Sequence, residues 1–106
     1  MRDAVIVVIF DLPVADSDAR HCYTRFRRKL KETGYMRMQK SVYVKRISNS
    51  SSAESEFDAL RNHAPEEGEI LAWSMTVGEF RSIQNIRGEQ VNFDLLCSPL
   101  LFFENL

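Results

Sequence analysis

The chain has 106 residues, 44% of them apolar and 27% charged, which is the composition of a single globular domain. Its formal net charge of −1 does not by itself indicate a nucleic-acid partner. The longest apolar run, Ala4 to Phe10, has seven residues, whereas a membrane-spanning helix needs about 20, and no signal peptide is recognised. Cys22 and Cys97 lack the spacing of a zinc site or a disulfide framework, so we expect reduced thiols in a cytoplasmic protein with no membrane segment.

The first predicted elements are a strand and a long helix. Residues 4–10 are apolar and mostly β-branched. Because side chains of a strand alternate between the two faces of a sheet, this run is apolar on both faces, which is typical of a strand in the middle of a covered sheet. Capping side chains follow at 16–18, and the apolar residues after them recur at helical spacing as far as Gly34. Glycine is the preferred residue for a left-handed helix end, so we predict a helix from about residue 18 to residue 33.

The rest of the chain completes an alternating order of strands and helices. The later predicted elements are a two-stranded hairpin over 35–47 with its turn near Gln39 and Lys40, a helix over 53–64, a strand over 70–77, a short helix within 77–83 and a small strand at Ile86 and Arg87. The order β-α-β-β-α-β predicts an α+β, ferredoxin-like sandwich with both helices on one face of the sheet. We assign this domain to residues 1–84.

The apolar C-terminal part, residues 85–106, is predicted to form an extra strand and a tail. This tail needs a cover, which its own domain, a dimer mate or a different protein would supply. The second apolar face of the first strand also needs a cover. A second copy of the sheet, packed face to face about a two-fold axis, is the simplest one, so we predict a homodimer.

The net charge conceals a strongly basic segment. Residues 20–46 contain ten basic residues and one acid, for a segment charge of +9, while the rest of the chain carries −10. Arg20, Arg27 and Lys31 form a row about 16 Å long beside the apolar face of the first helix. A solvated helix face is one interpretation, but such faces usually mix signs, and we favour a surface that binds phosphates without reading bases. The predicted nucleic-acid-binding residues are Arg20, Arg25, Arg27, Arg28, Lys31, Arg37 and Lys40.

Asp11 is the candidate metal ligand, because it ends the most buried strand and carboxylates suit hard divalent ions. One carboxylate is a poor site, but two brought together by a dimer axis would suit Mg²⁺ or Mn²⁺. The alternative is that Asp11 accepts backbone N–H bonds in the turn at Leu12 and Pro13. Ser41 and Tyr43 lie on an adjacent strand and are expected either to point the same way as Asp11 or simply to pack across strands.

Three segments together resemble the CRISPR-associated protein 2 family. They are Val8 to Pro13, Tyr23 to Leu30 and Gly34 to Tyr43, and the resemblance covers about residues 4 to 80. It implies a ferredoxin-like fold and a homodimer formed through the sheets, with a final strand crossing to the partner. It also implies a central place in the spacer-acquisition complex, between two dimers of the integrase, CRISPR-associated protein 1, with duplex DNA on the basic surface.

The same resemblance implies a candidate catalytic site. Some family members are described as magnesium-dependent nucleases that act on single-stranded RNA or duplex DNA, with the metal held across the dimer axis by the aspartate ending the first strand. The matching positions here are Asp11, the adjoining Phe10, the arginines Arg25 and Arg37, and the pair Ser41 and Tyr43. We therefore expect a DNA-bridging adaptor with a metal-dependent endonuclease as the second hypothesis. A toxin-like endoribonuclease that acts without an integrase is the alternative.

Overall fold

The computed structural model describes residues 3–93, which form one sheet with helices on both of its faces. The elements in chain order are β1 (Ala4–Asp11), α1 (Ser17–Glu32), β2 (Met36–Gln39), β3 (Val42–Ile47), a 3₁₀ turn (Ser50–Ser52), α2 (Ala53–His63), β4 (Glu69–Thr76) and α3 (Val77–Arg81). The predicted order is therefore confirmed from β1 to α3. No helix within this part of the chain is long and apolar enough to cross a membrane.

The sheet has the strand order β2-β3-β1-β4, and every neighbouring pair is antiparallel. This is the ferredoxin-like arrangement that the element order predicts. β1 lies in the interior of the sheet, where Val7 is paired with Val44 of β3 on one side and with Trp73 of β4 on the other. A strand with neighbours on both sides and apolar residues on both faces explains why residues 4–10 lack polar alternation.

One face of the sheet, called the helix face below, packs against α1 and α2. Alternate residues of β1, including Val8 and Phe10, join Phe26 and Leu30 of α1 and Leu60 of α2 in one core. Each of these five side chains is at least 92% buried, and full burial of such a side chain contributes roughly 1.5–3 kcal/mol to stability. The apolar spacing of α1 therefore sets which side of this helix faces the sheet.

Both ends of α1 carry the capping chemistry expected from the sequence. The Asp16 carboxylate accepts a hydrogen bond from the backbone N–H of Ala19 at 2.8 Å, which satisfies a donor that the helix cannot pair internally. Gly34 follows the helix with φ of +100°, a conformation that other residues rarely adopt. These two caps fix the point at which the chain enters β2.

A polar cluster connects the start of β2 with β3 and α2. The Glu56 carboxylate accepts hydrogen bonds from the Tyr35 hydroxyl at 3.2 Å and from the Lys45 ammonium at 2.9 Å. Burial, reinforced by the charge of Glu56 and the hydrogen bond to it, raises the pKa of Tyr35 well above its ordinary value near 10. The cluster therefore uses Lys45 for structure, although it belongs to the basic segment.

The opposite face of the sheet is covered in part by the same chain. Thr76 and Glu79 form a reciprocal capping box that starts α3 directly after β4. The backbone N–H of Thr76 donates a hydrogen bond to the Glu79 carboxylate and so lowers the pKa of Glu79 below its usual range. α3 places the fully buried Phe80 against Val5 and Val7, and Phe93 packs edge-on to Phe80 at 5.3 Å. Residues of the same chain therefore cover this part of the face, and a second copy stays a prediction for the part that is exposed.

The predicted small strand at Ile86 and Arg87 is wrong, since these residues lie in a loop and Ile86 is 89% exposed. No fifth strand occurs between residues 82 and 93. The remainder of the predicted C-terminal strand and tail, residues 94–106, lies outside the described part of the chain.

Gly68 sets how closely the loop before β4 approaches the end of β1. A Cβ atom on Gly68 would lie 2.5 Å from Leu12 Cδ2 and 2.8 Å from the Asp11 carbonyl oxygen, whereas a Cβ atom on Gly88 would contact nothing within 4 Å. Both glycines have φ near +100°, so alanine strains the backbone at both positions by about 1–2 kcal/mol. The two positions differ only in the close approach.

We expect Gly68→Ala to reduce the free energy of unfolding more than Gly88→Ala does, by roughly a further 1–3 kcal/mol from overpacking. Urea denaturation of the two variants and the wild type measures this difference. Equal losses in the two variants would show that the contact between the loop and Asp11 is not tight.

Candidate nucleic-acid interface and metal site

Asp11 lies at the edge of the sheet with its side chain exposed. Successive side chains of a strand alternate between faces, so Asp11 is directed to the face opposite the helices, next to its cross-strand partner Glu69 on β4. Among residues 3–93, no donor forms a hydrogen bond with the Asp11 carboxylate. The alternative role in the turn at Leu12 and Pro13 is therefore not supported, and the carboxylate is available to a ligand.

Phe10 and Tyr43 lie on the helix face, in the core. Phe10 is 6% exposed and Tyr43 is 0% exposed, and their ring centroids are 5.8 Å apart. Ser41 is placed beside Phe10, whose backbone N–H donates to the Ser41 carbonyl oxygen at 3.1 Å. Of the two alternatives for Tyr43, packing across strands is the one observed, because β3 pairs Tyr43 with Val8, a helix-face residue. Phe10 and Tyr43 therefore pack in the core beside the strand that carries Asp11.

A single chain offers few oxygen ligands for a metal. No group of three or more His, Cys, Asp or Glu side chains within residues 3–93 is arranged to hold an ion. Asp11 and its neighbour Glu69 are carboxylates, the donor type that Mg²⁺ and Mn²⁺ prefer. Asp11 thus suits the implied metal chemically, but further ligands must come from outside this part of the chain.

The basic segment separates into paired and unpaired side chains. Three of its ten cations form ion pairs: Arg28 with Glu32 at 3.9 Å, Lys45 with Glu56, and Arg46 with Asp3. The other seven have no carboxylate partner within the described residues. They are Arg20, Arg25, Arg27, Lys29, Lys31, Arg37 and Lys40. Six of them are in the set predicted from the sequence, and Arg28 is the predicted residue that has a carboxylate partner.

One flank of α1 faces a cleft with acidic residues on its other side. Arg25, Arg28 and Lys29 line this cleft, which has a volume of about 840 Å³, together with Glu66 and Glu67 from the loop before β4. Carboxylates across a cleft repel phosphates, so the basic residues here are poorly placed for a nucleic-acid backbone. The sequence gives no signal that Glu66 and Glu67 lie near α1.

The other flank of α1 adjoins the hairpin of β2 and β3. It carries Arg20, Arg27 and Lys31, and the hairpin adds Arg37 on the edge strand and Lys40 in the turn. We call these five residues the hairpin-side surface. β2 pairs Arg37 with Tyr43, which places Arg37 on the same face of the sheet as α1. The hairpin-side surface is therefore a set of cations from two elements that have no carboxylate partner among residues 3–93.

Two of the arginines on this flank are held by uncharged groups. The Arg20 guanidinium donates to the Val14 carbonyl oxygen at 3.3 Å, and the Arg27 guanidinium lies over the Tyr23 ring, 5.2 Å from its centroid. Such contacts orient a guanidinium without neutralising its charge. Tyr23 belongs by its spacing to the apolar side of α1 and packs against the core, and its contact with Arg27 follows from their i, i+4 spacing.

Comparisons with a family model and with known proteins indicate the same family. The family model for CRISPR associated protein Cas2 matches residues 4–83. Proteins named CRISPR-associated endoribonuclease Cas2 are similar to this chain in Treponema denticola (33% identity) and Acidovorax ebreus (34% identity). The Treponema alignment covers 79% of this chain and 83% of the relative, and the Acidovorax alignment covers 78% and 81%.

A third relative of the same name, from Ligilactobacillus salivarius, is 30% identical over 81% of this chain and 85% of its own length. The matched region contains the whole sheet, α1 and the hairpin. The chain therefore belongs to the Cas2 family.

Proposed function

We propose that this member of the Cas2 family acts in CRISPR spacer acquisition as a homodimer that binds the backbone of duplex DNA and connects integrase dimers of CRISPR-associated protein 1. The observation that carries this proposal is the hairpin-side surface, whose five cations have no carboxylate partner among residues 3–93. Cations that neutralise phosphates release condensed counterions, which gives affinity without sequence readout. A bridging subunit needs this kind of binding, because it must accept DNA of any sequence.

Arg27 and Arg28 are neighbours in sequence and provide a matched test of the DNA surface. Arg27 is on the hairpin-side surface, whereas Arg28 pairs with Glu32 and lines the acidic cleft. We expect Arg27→Ala to weaken duplex binding several-fold and to reduce the salt dependence of log K by about one unit of slope, the contribution of one phosphate contact. Arg28→Ala is expected to have the smaller effect.

Fluorescence anisotropy with a labelled duplex at four or more salt concentrations measures both quantities. If Arg28→Ala weakened binding as much as Arg27→Ala, the cleft flank would also face the DNA. If neither variant altered binding, the DNA surface would lie elsewhere.

The proposed dimer uses the uncovered part of the face opposite the helices. Leu71 is 63% exposed and Trp73 is 42% exposed on β4, and Met36, 37% exposed on β2, belongs to the same face by register. Phe80 covers the middle of this face, so the exposed apolar residues lie on the outer strands on either side of it. Exposed apolar residues on one sheet face are typical of an interface, and a second copy of the same sheet would bury them.

Leu71→Glu is expected to shift the protein from dimer to monomer, because the dimer would then bury an unpaired carboxylate. Ile86→Glu is the control, since it introduces the same charge at an exposed apolar residue away from the sheet. Sedimentation equilibrium of both variants and the wild type measures the association. A Leu71→Glu protein that associated as tightly as the wild type would contradict a dimer formed through this face.

A second candidate function is metal-dependent phosphodiester hydrolysis. It is favoured by the exposed Asp11 carboxylate and by the word endoribonuclease in the names of the relatives. Asp11 would hold Mg²⁺ or Mn²⁺ together with ligands from a second copy. A bound metal would stabilise charge on the phosphate and lower the pKa of a water molecule.

A toxin-like endoribonuclease would use the same site without an integrase, so co-purification with the integrase distinguishes that role from the adaptor role.

If this activity belongs to the protein, Asp11→Asn is expected to abolish the cleavage of single-stranded RNA or duplex DNA in the presence of Mg²⁺ or Mn²⁺, because the amide removes the charge that attracts the metal. Glu67→Gln, an exposed position in the nearby loop, is the control for loss of one negative charge. Cleavage is measured with labelled substrates for identically purified proteins. Equal cleavage by wild type and Asp11→Asn would identify a contaminating nuclease.

A further inference from the structure

Tyr23 has three contacts that join the two halves of the hairpin-side surface. Its ring packs edge-on against Phe10 of β1, with the centroids 5.8 Å apart. The same ring lies under the Arg27 guanidinium at 5.2 Å, and its hydroxyl donates a long hydrogen bond of 3.5 Å to the carbonyl oxygen of Lys40 in the hairpin turn. One side chain of α1 thus contacts the core, a cation of its own helix and the turn that carries a second cation.

Arg27 is held by an aromatic ring rather than by an acidic partner. Within residues 3–93, its buried Nε atom has no hydrogen-bond partner, which is an unfavourable arrangement for a donor. No carboxylate within residues 3–93 pairs with this arginine. The ring of Tyr23 therefore fixes the direction of the guanidinium while its charge stays uncompensated.

We infer that Tyr23 is a positioning residue for DNA-backbone binding, whose ring holds the Arg27 guanidinium in the direction in which it contacts the duplex. This inference rests on the proposed function. A free arginine side chain loses considerable rotamer freedom when it binds a phosphate, and an arginine already stacked on an aromatic ring loses less. Tyr23 increases affinity by this means without contacting the DNA itself.

The experiment compares Tyr23→Leu and Tyr23→Phe, each in the wild type and in the Arg27→Ala background. We expect Tyr23→Leu to weaken duplex binding about three- to ten-fold and to reduce the salt slope toward that of Arg27→Ala, because the guanidinium is no longer directed at its phosphate. Tyr23→Phe retains the ring and is expected to restore the salt slope. In the Arg27→Ala background, Tyr23→Leu is expected to have little further effect.

The readouts are anisotropy titrations against salt at a temperature well below the unfolding midpoint of each variant. A purely structural role would lower the thermal midpoint and weaken binding by the same factor in both backgrounds, and this result would overturn the inference. An unchanged salt slope for Tyr23→Leu would also overturn it. If Arg27→Ala itself left duplex binding intact, the proposed DNA surface would fail, and the role of Tyr23 would fail with it.

Discussion

The fold and the candidate sites depend on the alternation of side chains along β1. Because neighbouring residues of a strand point to opposite faces, Phe10 enters the core under α1 while Asp11 is presented on the other face. A shift of register by one residue would bury the carboxylate and expose the aromatic ring. β3 and β4 pair with β1 on both sides and prevent this shift, so the position of Asp11 is fixed by the whole sheet.

The basic residues of this molecule differ in whether a carboxylate lies near them. Lys45 and Arg46 pair with Glu56 and Asp3, and they stabilise the links of β3 to α2 and to the N-terminal end of β1. The hairpin-side surface has no such partners among residues 3–93, and a solvated cation surface contributes little to the free energy of folding. The stability of the described domain therefore does not account for this group of cations.

The elements could be predicted from the sequence because their signals are local. The apolar run of β1, the cap at Asp16 and the left-handed Gly34 each specify a boundary without knowledge of distant residues. The capping box of Thr76 and Glu79 is an equally local signal in the sequence. Its consequence, the burial of Phe80 on the sheet, depends on where α3 lies in three dimensions. Local sequence signals therefore do not specify how much of that face α3 covers.

The division of the basic segment into two flanks could not be predicted from the sequence, because it also depends on residues that are distant along the chain. Helical spacing places Arg25 and Arg27 on different sides of α1, but only the fold brings Glu66 and Glu67 to one side and the hairpin turn to the other. Tyr23 shows that assignment to the core and contribution to a binding surface are compatible. Its ring packs on the core with one edge and supports a cation with its face. A residue that packs on the core therefore also orients a neighbouring charge at the surface.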